Sequence, residues 1–365
     1  MKRRTLFQAS LGLGVLGAMG ADGVFGIAGA ATHQAGNAAE LQWRERPLLG
    51  LGTTLSLRVA HRDPDAAERA LDAVAATIRH VEAQMSLFDP GSALSRLNRD
   101  GVLHDPHPDL LKILRMARDI SARSDGYFDV TVQPLWEVFE EAQRKAVLPS
   151  AAAVLQARAR VGWQALEISP RRIRLKNPGM AITLNGIAQG YAADLVRNQL
   201  RAGGIEHALI NTGEWAALGR PDARHGWTLG IAHPRDESML ITRLLMDGRS
   251  IATSADNQAI FSSDLRNHHI FDPRTGYSPP ELASVTVAAA SCAMADALTK
   301  VMFVAGMQRA LTLAQKWQVD VVLVDKAGQW HATSGLKLVA DVTRSPIKKR
   351  IHQSRFSLES GASSA

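Results

Sequence analysis

The chain has 365 residues, 46% hydrophobic and 21% charged, which excludes an intrinsically disordered protein and leaves ample apolar material for a core. Forty-two Lys and Arg against 35 Asp and Glu give a net charge of +7, which first suggests a nucleic-acid or acidic-membrane partner. A single cysteine, Cys292, excludes a disulfide scaffold and, within an apolar run, reads as a buried inert thiol.

Residues 1–30 read as a secretory signal peptide. Lys2-Arg3-Arg4 is the basic start, Ala9 to Gly20 a short apolar middle, and Ala28-Gly29-Ala30 the small-residue site. The paired arginines point to the twin-arginine route and so to a periplasmic protein. A membrane anchor is disfavoured, because the apolar stretch falls well short of the roughly 20 residues that a spanning helix needs.

Beyond a polar linker, Thr54 to Val59 alternates as a half-buried strand does. Asp63-Pro64 then opens a helix whose Leu71, Val74, Ile78, Val81 and Met85 share one face. A second helix is predicted from Pro108 to Ser121. A hairpin follows, pairing Ala165 to Ile168 with Arg172 to Leu175, and then a helix from about Ile187 to Gly203-Gly204. His207 to Asn211 and Trp227 to Ala232 read as strands, and Asp247-Gly248 as a turn between Leu244-Leu245 and Ile251-Ala252. The strand Val285 to Ala289, helices over 293–305 and 308–317, and the strand Val319 to Val324 close the chain. Clustered strands and helices argue for α+β rather than a doubly wound parallel sheet.

Five stretches concentrate glycine and polar residues without helical or strand periodicity: Leu51-Gly52-Thr53, Asp125 to Leu135, Asn185 to Asp194, His268 to Gly276, and Ala295 to Lys300. Each taken alone reads as ordinary turn or cap chemistry. Together they suit a nucleotide diphosphate. Asn185-Gly186 at a helix start offers free N–H groups to phosphate, and Asp296 with Thr299 at another offers hard oxygens to a cation such as Mg²⁺. His269 beside Asp272 is the candidate general base, its tautomer fixed by the carboxylate.

In this order, over nearly the whole mature chain, the five stretches resemble the ApbE family of FAD:protein FMN transferases. Ser92-Ala93-Leu94-Ser95-Arg96-Leu97-Asn98, Thr253-Ser254 and Trp227 to Pro234 extend the resemblance. It implies a T-fold-like α+β enzyme over 31–343, with mostly antiparallel sheets and packed helices. Such an enzyme cleaves FAD, attaches FMN by a phosphoester bond to Ser or Thr of an acceptor flavoprotein, and releases AMP. By the same resemblance Leu51, Phe88, Tyr127, Phe128, Asp129, Thr183, Gln189 and Phe271 would line the FAD site. Gly186, Asp296 and Thr299 would hold Mg²⁺, and His269 would be the base. Twin-arginine export is similar to that of the accessory ApbE-like proteins of nitrous-oxide reductase maturation. A flavin-binding accessory protein without turnover is the alternative function.

Departures from the family pattern are Thr212-Gly213-Glu214 for Gly-Gly-Asp, Ala255 after Thr253-Ser254, Gln189 for Lys or Glu, and Lys300 for a metal-binding Thr. An ammonium has no lone pair for a cation, and one helical turn separates Lys300 from Asp296, so the two are expected to pair. The lost glycines are expected to restrict turns that need a positive φ. The charge, finally, is not spread evenly. Residues 1–30 and a basic tail over 344–365, expected to be disordered, carry six of the seven net positive charges. The nearly neutral body implies no nucleic-acid partner, while the tail leaves peripheral membrane contact open.

Overall fold

The computed structural model describes residues 40–339. The expected signal peptide over 1–30, the basic tail over 344–365 and both outer ends of the expected 31–343 domain lie outside these residues. Within them no helix is long and apolar enough to cross a membrane.

The fold opens with the hairpin β1 (Gln42–Gly50) and β2 (Thr53–His61), closed by Leu51-Gly52. Both turn residues have positive φ, 53° and 78°, the two-residue turn whose twist matches that of paired strands. Helix α1 (Pro64–Met85) starts where Asp63 accepts the Asp65 amide, and the five residues of its predicted apolar face are all buried. Next come α2 (Ala93–Asp100), β3 (Val102–His104), α3 (Pro108–Arg123), α4 (Gln133–Arg144), α5 (Ala151–Arg158), β4 (Leu166–Ser169) and β5 (Arg172–Leu175). Helix α6 (Ala188–Ala202) leads to β6 (His207–Asn211), β7 (Trp215–Leu218), β8 (Thr228–His233), β9 (Asp236–Leu245), β10 (Ser250–Ala255) and β11 (Leu282–Ala289). Helices α7 (Cys292–Ala305) and α8 (Met307–Trp317), with β12 (Asp320–Asp325), β13 (Trp330–Ala332) and β14 (Leu338–Val339), complete it.

Eight strands form the main sheet in the order β1-β2-β6-β7-β10-β11-β12-β13, flanked by the small sheets β14-β9-β8 and β3-β5-β4. Every described strand pair is antiparallel. The α+β expectation therefore holds. The main sheet is two four-stranded halves joined by the single described pair Ile251 to Trp215 between β10 and β7. Strand β11 is buried along its whole length beneath α7, and α6 packs on the other half against α1 and β7.

The expected turn at Asp247-Gly248 is present but closes no hairpin. Asp247-Gly248 turns the chain, with Gly248 at φ 96°, but β9 pairs in a small sheet and β10 in the main one. The turn therefore passes between sheets. Helices α2, α4 and α5, none longer than 12 residues, were not announced by apolar periodicity.

Candidate active site

A cavity of about 240 Å³ lies where the two halves of the main sheet meet. Its wall takes Leu51 and Gly52 from the first hairpin and Glu82 from the end of α1. The segment before α4 gives Tyr127, Phe128 and Asp129; the turn into α6 gives Thr183, Asn185, Gly186 and Gln189. Glu214 joins from the turn between β6 and β7, and Thr253, Ser254, His269, Phe271 and Lys300 close it from the other half. The structure thus brings together all eight residues that the resemblance implies for FAD, with Gly186, His269 and Lys300. It leaves out Asp272, Asp296 and Thr299.

Asp296 lies fully buried behind the wall, in the second turn of α7 rather than at its start. Its Oδ2 accepts the Gly190 amide from the first turn of α6 at 3.1 Å. A carboxylate from the chain itself thus occupies the positive end of that helix, where the sequence suggested phosphate. The other oxygen, Oδ1, meets Lys300 Nζ at 2.5 Å, and the Asp296 carbonyl accepts from the same ammonium at 3.2 Å. The expected pairing of Asp296 and Lys300 is therefore present. Thr299 is also fully buried; its hydroxyl donates to the Asp296 carbonyl at 2.6 Å and lies 2.7 Å from the Ser254 hydroxyl.

The residues that the resemblance implies for Mg²⁺ do not fit it. Both Asp296 oxygens have partners, the Thr299 hydroxyl is turned into the protein, and an ammonium stands against the only carboxylate of the set. A divalent ion would have to expel that ammonium, a cost the donor set does not offset.

Glu214, on the turn between β6 and β7, was noted in the sequence only as a departure from Asp. It is 4% exposed and accepts the Thr253 amide at 3.0 Å. Burial, aided by the charge of Asp296, pushes its carboxyl well above the usual range, which favours the neutral acid. The other departures cost no backbone strain. Neither Thr212 nor Ala255 has positive φ; the Thr212 hydroxyl donates to the Gln189 carbonyl at 2.8 Å, and Ala255 simply ends β10. The positive φ belongs to Gly213, at 97°, beside the Gln189 side chain. Gln189 in turn donates to the Leu51 carbonyl at 3.3 Å, and Glu82 accepts the Leu51 amide at 2.9 Å, so the hairpin tip is held from both sides.

His269 sits on the long connection from β10 to β11. Buried Asp256 anchors that connection, accepting two hydrogen bonds from Arg235 and one from Lys326. The His269 amide donates to the Ala259 carbonyl at 2.9 Å. Burial, then the charge of Lys300, push its imidazole down to about 4, so it is a free base at neutral pH. Its neighbour His268, fully buried against Phe303, is pushed to about 3 by burial. The expected support from Asp272 is absent. The Asp272 carboxylate accepts the Arg274 amide at 2.9 Å and its guanidinium at 2.8 and 2.7 Å, while His269 Nδ1 has no hydrogen-bond partner among the described residues. The cause is local: the Asp-Pro-Arg turn folds the amide at i+2 back onto Asp272. Asp272 instead holds Arg274 over the Tyr127 ring at 4.1 Å.

Asp129, an expected FAD contact, is buried and accepts from the Thr131 amide and hydroxyl at 2.8 and 2.7 Å and from the Trp163 amide at 3.0 Å. It shapes the loop that presents Tyr127 and Phe128. Glu82 and Trp136 also line the cavity from outside the five stretches, with Gln133 from the end of the second. Glu82 is an ordinary polar position on an amphipathic helix; Gln133 and Trp136 belong to α4, a short helix that the sequence pattern does not mark.

Fold and cavity together define an α+β protein with an aromatic cleft that ends on one lysine and one neutral histidine. The sequence profile of the ApbE family matches residues 51–323, and the chain belongs to that family. A Klebsiella pneumoniae protein named FAD:protein FMN transferase is 32% identical over 226 residues, covering 60% of this chain and 69% of that protein. A Vibrio cholerae protein of the same name is 29% identical over 302 residues, covering 79% of this chain and 90% of that one. The solved structure of the Pseudomonas stutzeri flavinyl transferase ApbE, apo form, is similar with a TM-score of 0.72 at 28% identity, over 82% of this chain and 96% of that one.

Proposed function

We infer that the protein is an FAD:protein FMN transferase. It cleaves FAD and attaches FMN through a phosphoester bond to Ser or Thr of an acceptor protein, with AMP as the second product. The observation that carries this reading is the convergence on one cavity of the aromatic wall of Tyr127, Phe128 and Phe271, the ammonium of Lys300 and the imidazole of His269, in a member of the ApbE family. The aromatic wall suits the flat rings of a flavin dinucleotide and the ammonium its diphosphate. His269, neutral at pH 7, is in the right state to accept the proton that the acceptor hydroxyl loses.

Export to the periplasm by the twin-arginine route is part of this proposal, on the strength of Lys2-Arg3-Arg4 and Ala28-Gly29-Ala30. The acceptor is then an exported or membrane-bound redox protein, and maturation of nitrous-oxide reductase is the setting that such export suggests. The basic tail offers peripheral membrane contact.

The test incubates the mature chain with FAD and an exported flavoprotein domain bearing an acceptor Thr. Covalent flavin fluorescence on the acceptor and AMP in equal amount are expected. Tight FAD binding with no covalent product under any condition would replace this reading with that of a flavin-binding accessory protein.

A further inference from the structure

We propose that Lys300 is the built-in cation of this cavity: its ammonium, steered by Asp296, binds the FAD diphosphate directly, so that FAD binding and FMN transfer proceed without Mg²⁺. This deepens the transferase reading and rests on it.

Charge is the first ground. An FAD diphosphate brings two negative charges into the cleft. Among the described residues the wall carries the carboxyl groups of Glu82, Asp129 and Glu214, and Lys300 is its one permanently charged cation. Glu214 is driven toward its neutral form by burial, so it does not cancel the lysine. The lysine side chain is only 19% exposed, and desolvation strengthens its attraction for an anion that enters beside it.

Geometry is the second. An ammonium has three N–H donors; Asp296 Oδ1 and the Asp296 carbonyl take two, which leaves one for a ligand oxygen. The lysine stem passes Gly186 so closely that a methyl group there would lie 3.3 Å from Cε and 3.6 Å from Cδ. The charge is therefore delivered at the turn that opens α6, on the cavity wall. Gly190, Ser254 and Lys300 together use up the oxygens of Asp296 and Thr299 from which a metal site would be made.

The step balances. The acceptor hydroxyl oxygen bonds to the flavin-side phosphorus of FAD, and the bond from that phosphorus to the bridging oxygen breaks. The bridging oxygen keeps the electron pair and leaves on AMP, and the hydroxyl proton passes to His269 and then to solvent. Lys300 stabilises negative charge that grows on the diphosphate oxygens as this bond breaks.

The experiment compares FAD affinity, read by flavin fluorescence quenching, and FMN transfer, each in EDTA and in millimolar Mg²⁺. Wild-type Kd and transfer rate are expected to agree within about twofold between the two conditions. K300M is expected to lose about tenfold or more in FAD affinity in both, as the loss of a charge-assisted hydrogen bond implies. K300T, which frees Asp296 and adds a hydroxyl, is expected to bind FAD more tightly with Mg²⁺ than with EDTA. Wild-type binding that collapses in EDTA and returns with Mg²⁺ overturns the proposal while leaving the transferase reading intact, and it needs no variant to fold. Equal FAD affinity of K300T in both conditions also overturns it. Absence of transfer under every condition removes the transferase reading, and the binding comparison then still decides the role of Lys300.

Discussion

Asp194 on α6 and Asp296 on α7 cap each other's helix. Asp194 accepts the Cys292 and Ala293 amides at the start of α7, at 2.9 and 3.0 Å, and the Ser291 hydroxyl at 2.7 Å; Asp296 accepts the Gly190 amide at the start of α6. Each carboxylate meets the positive end of the neighbouring helix. The exchange spans the place where the halves of the main sheet share one described strand pair, so the helices supply the continuity that the strands lack.

Asp194→Ala removes three of these bonds and the ion pair of Arg197 with the same carboxylate at 2.9 Å, leaving that guanidinium only the Ser250 hydroxyl and the Ala290 carbonyl. A loss of about 2–4 kcal/mol in urea unfolding is expected, with a smaller loss for Asp194→Asn. A change below about 1 kcal/mol for the alanine variant would show that the caps do not hold the halves together.

Gly190→Ala should destabilise, although alanine is the better helix former. A Cβ at this position would lie between 2.4 and 2.8 Å from backbone atoms of Cys292 and Ala293, so α6 and α7 must separate. Overpacking of this kind costs about 1–3 kcal/mol, more than the roughly 1 kcal/mol gained in helix propensity. Melting temperature and FAD affinity are both expected to fall; a raised melting temperature would contradict the close crossing.

Acid should unfold the protein through its histidines. His268 and His269 have folded-state values of about 3 and about 4, below the ordinary 6.5, so between pH 6.5 and 4 the unfolded chain binds more protons than the folded one. Stability therefore falls as pH drops through this window, by up to ~1.4 kcal/mol per pH unit for each imidazole. Urea midpoints measured from pH 7 to pH 4 check this, and the fall should be shallower in His268→Leu, whose buried site against Phe303 accepts an apolar group.

Glu214 should act with the opposite sign. Its carboxyl is raised, so the folded state holds a proton that the unfolded state loses above about 4.5, and stability declines as pH rises through this range. Glu214→Gln imitates the neutral acid and can still accept the Thr253 amide. Equal or higher melting temperature than wild type at pH 8 is expected, whereas Glu214→Ala should lose stability and leave that amide unpaired. A glutamine variant as unstable as the alanine variant would mean that Glu214 is ionised in the fold.

How far the sequence carried differs between fold and site. The cap and five-residue apolar face of α1, the hairpin of β4 and β5, and the strand β12 were legible, because each depends on residues a few positions apart. Asp247-Gly248 was legible as a turn, but not as a passage from one sheet to another, because a turn does not specify which strands its neighbours pair with. Lys300 facing Asp296 could be read from helical spacing alone. The partners of Asp272 and Asp129 could not, since a carboxylate near a histidine or in an aromatic motif looks the same whether it serves a ligand or its own loop.

The sequence by itself determined the longer amphipathic helices and many of the strands, the family resemblance and the cation at position 300, all set by local spacing and residue type. Tertiary structure decided that the start of α6 faces Asp296 and that Glu214 is buried within reach of the Lys300 charge. Those outcomes depend on which groups more than twenty residues apart, or on opposite sides of a turn, arrive first at the same unpaired donor. Packing of α6 against α7 settles that competition, and periodicity carries no record of it.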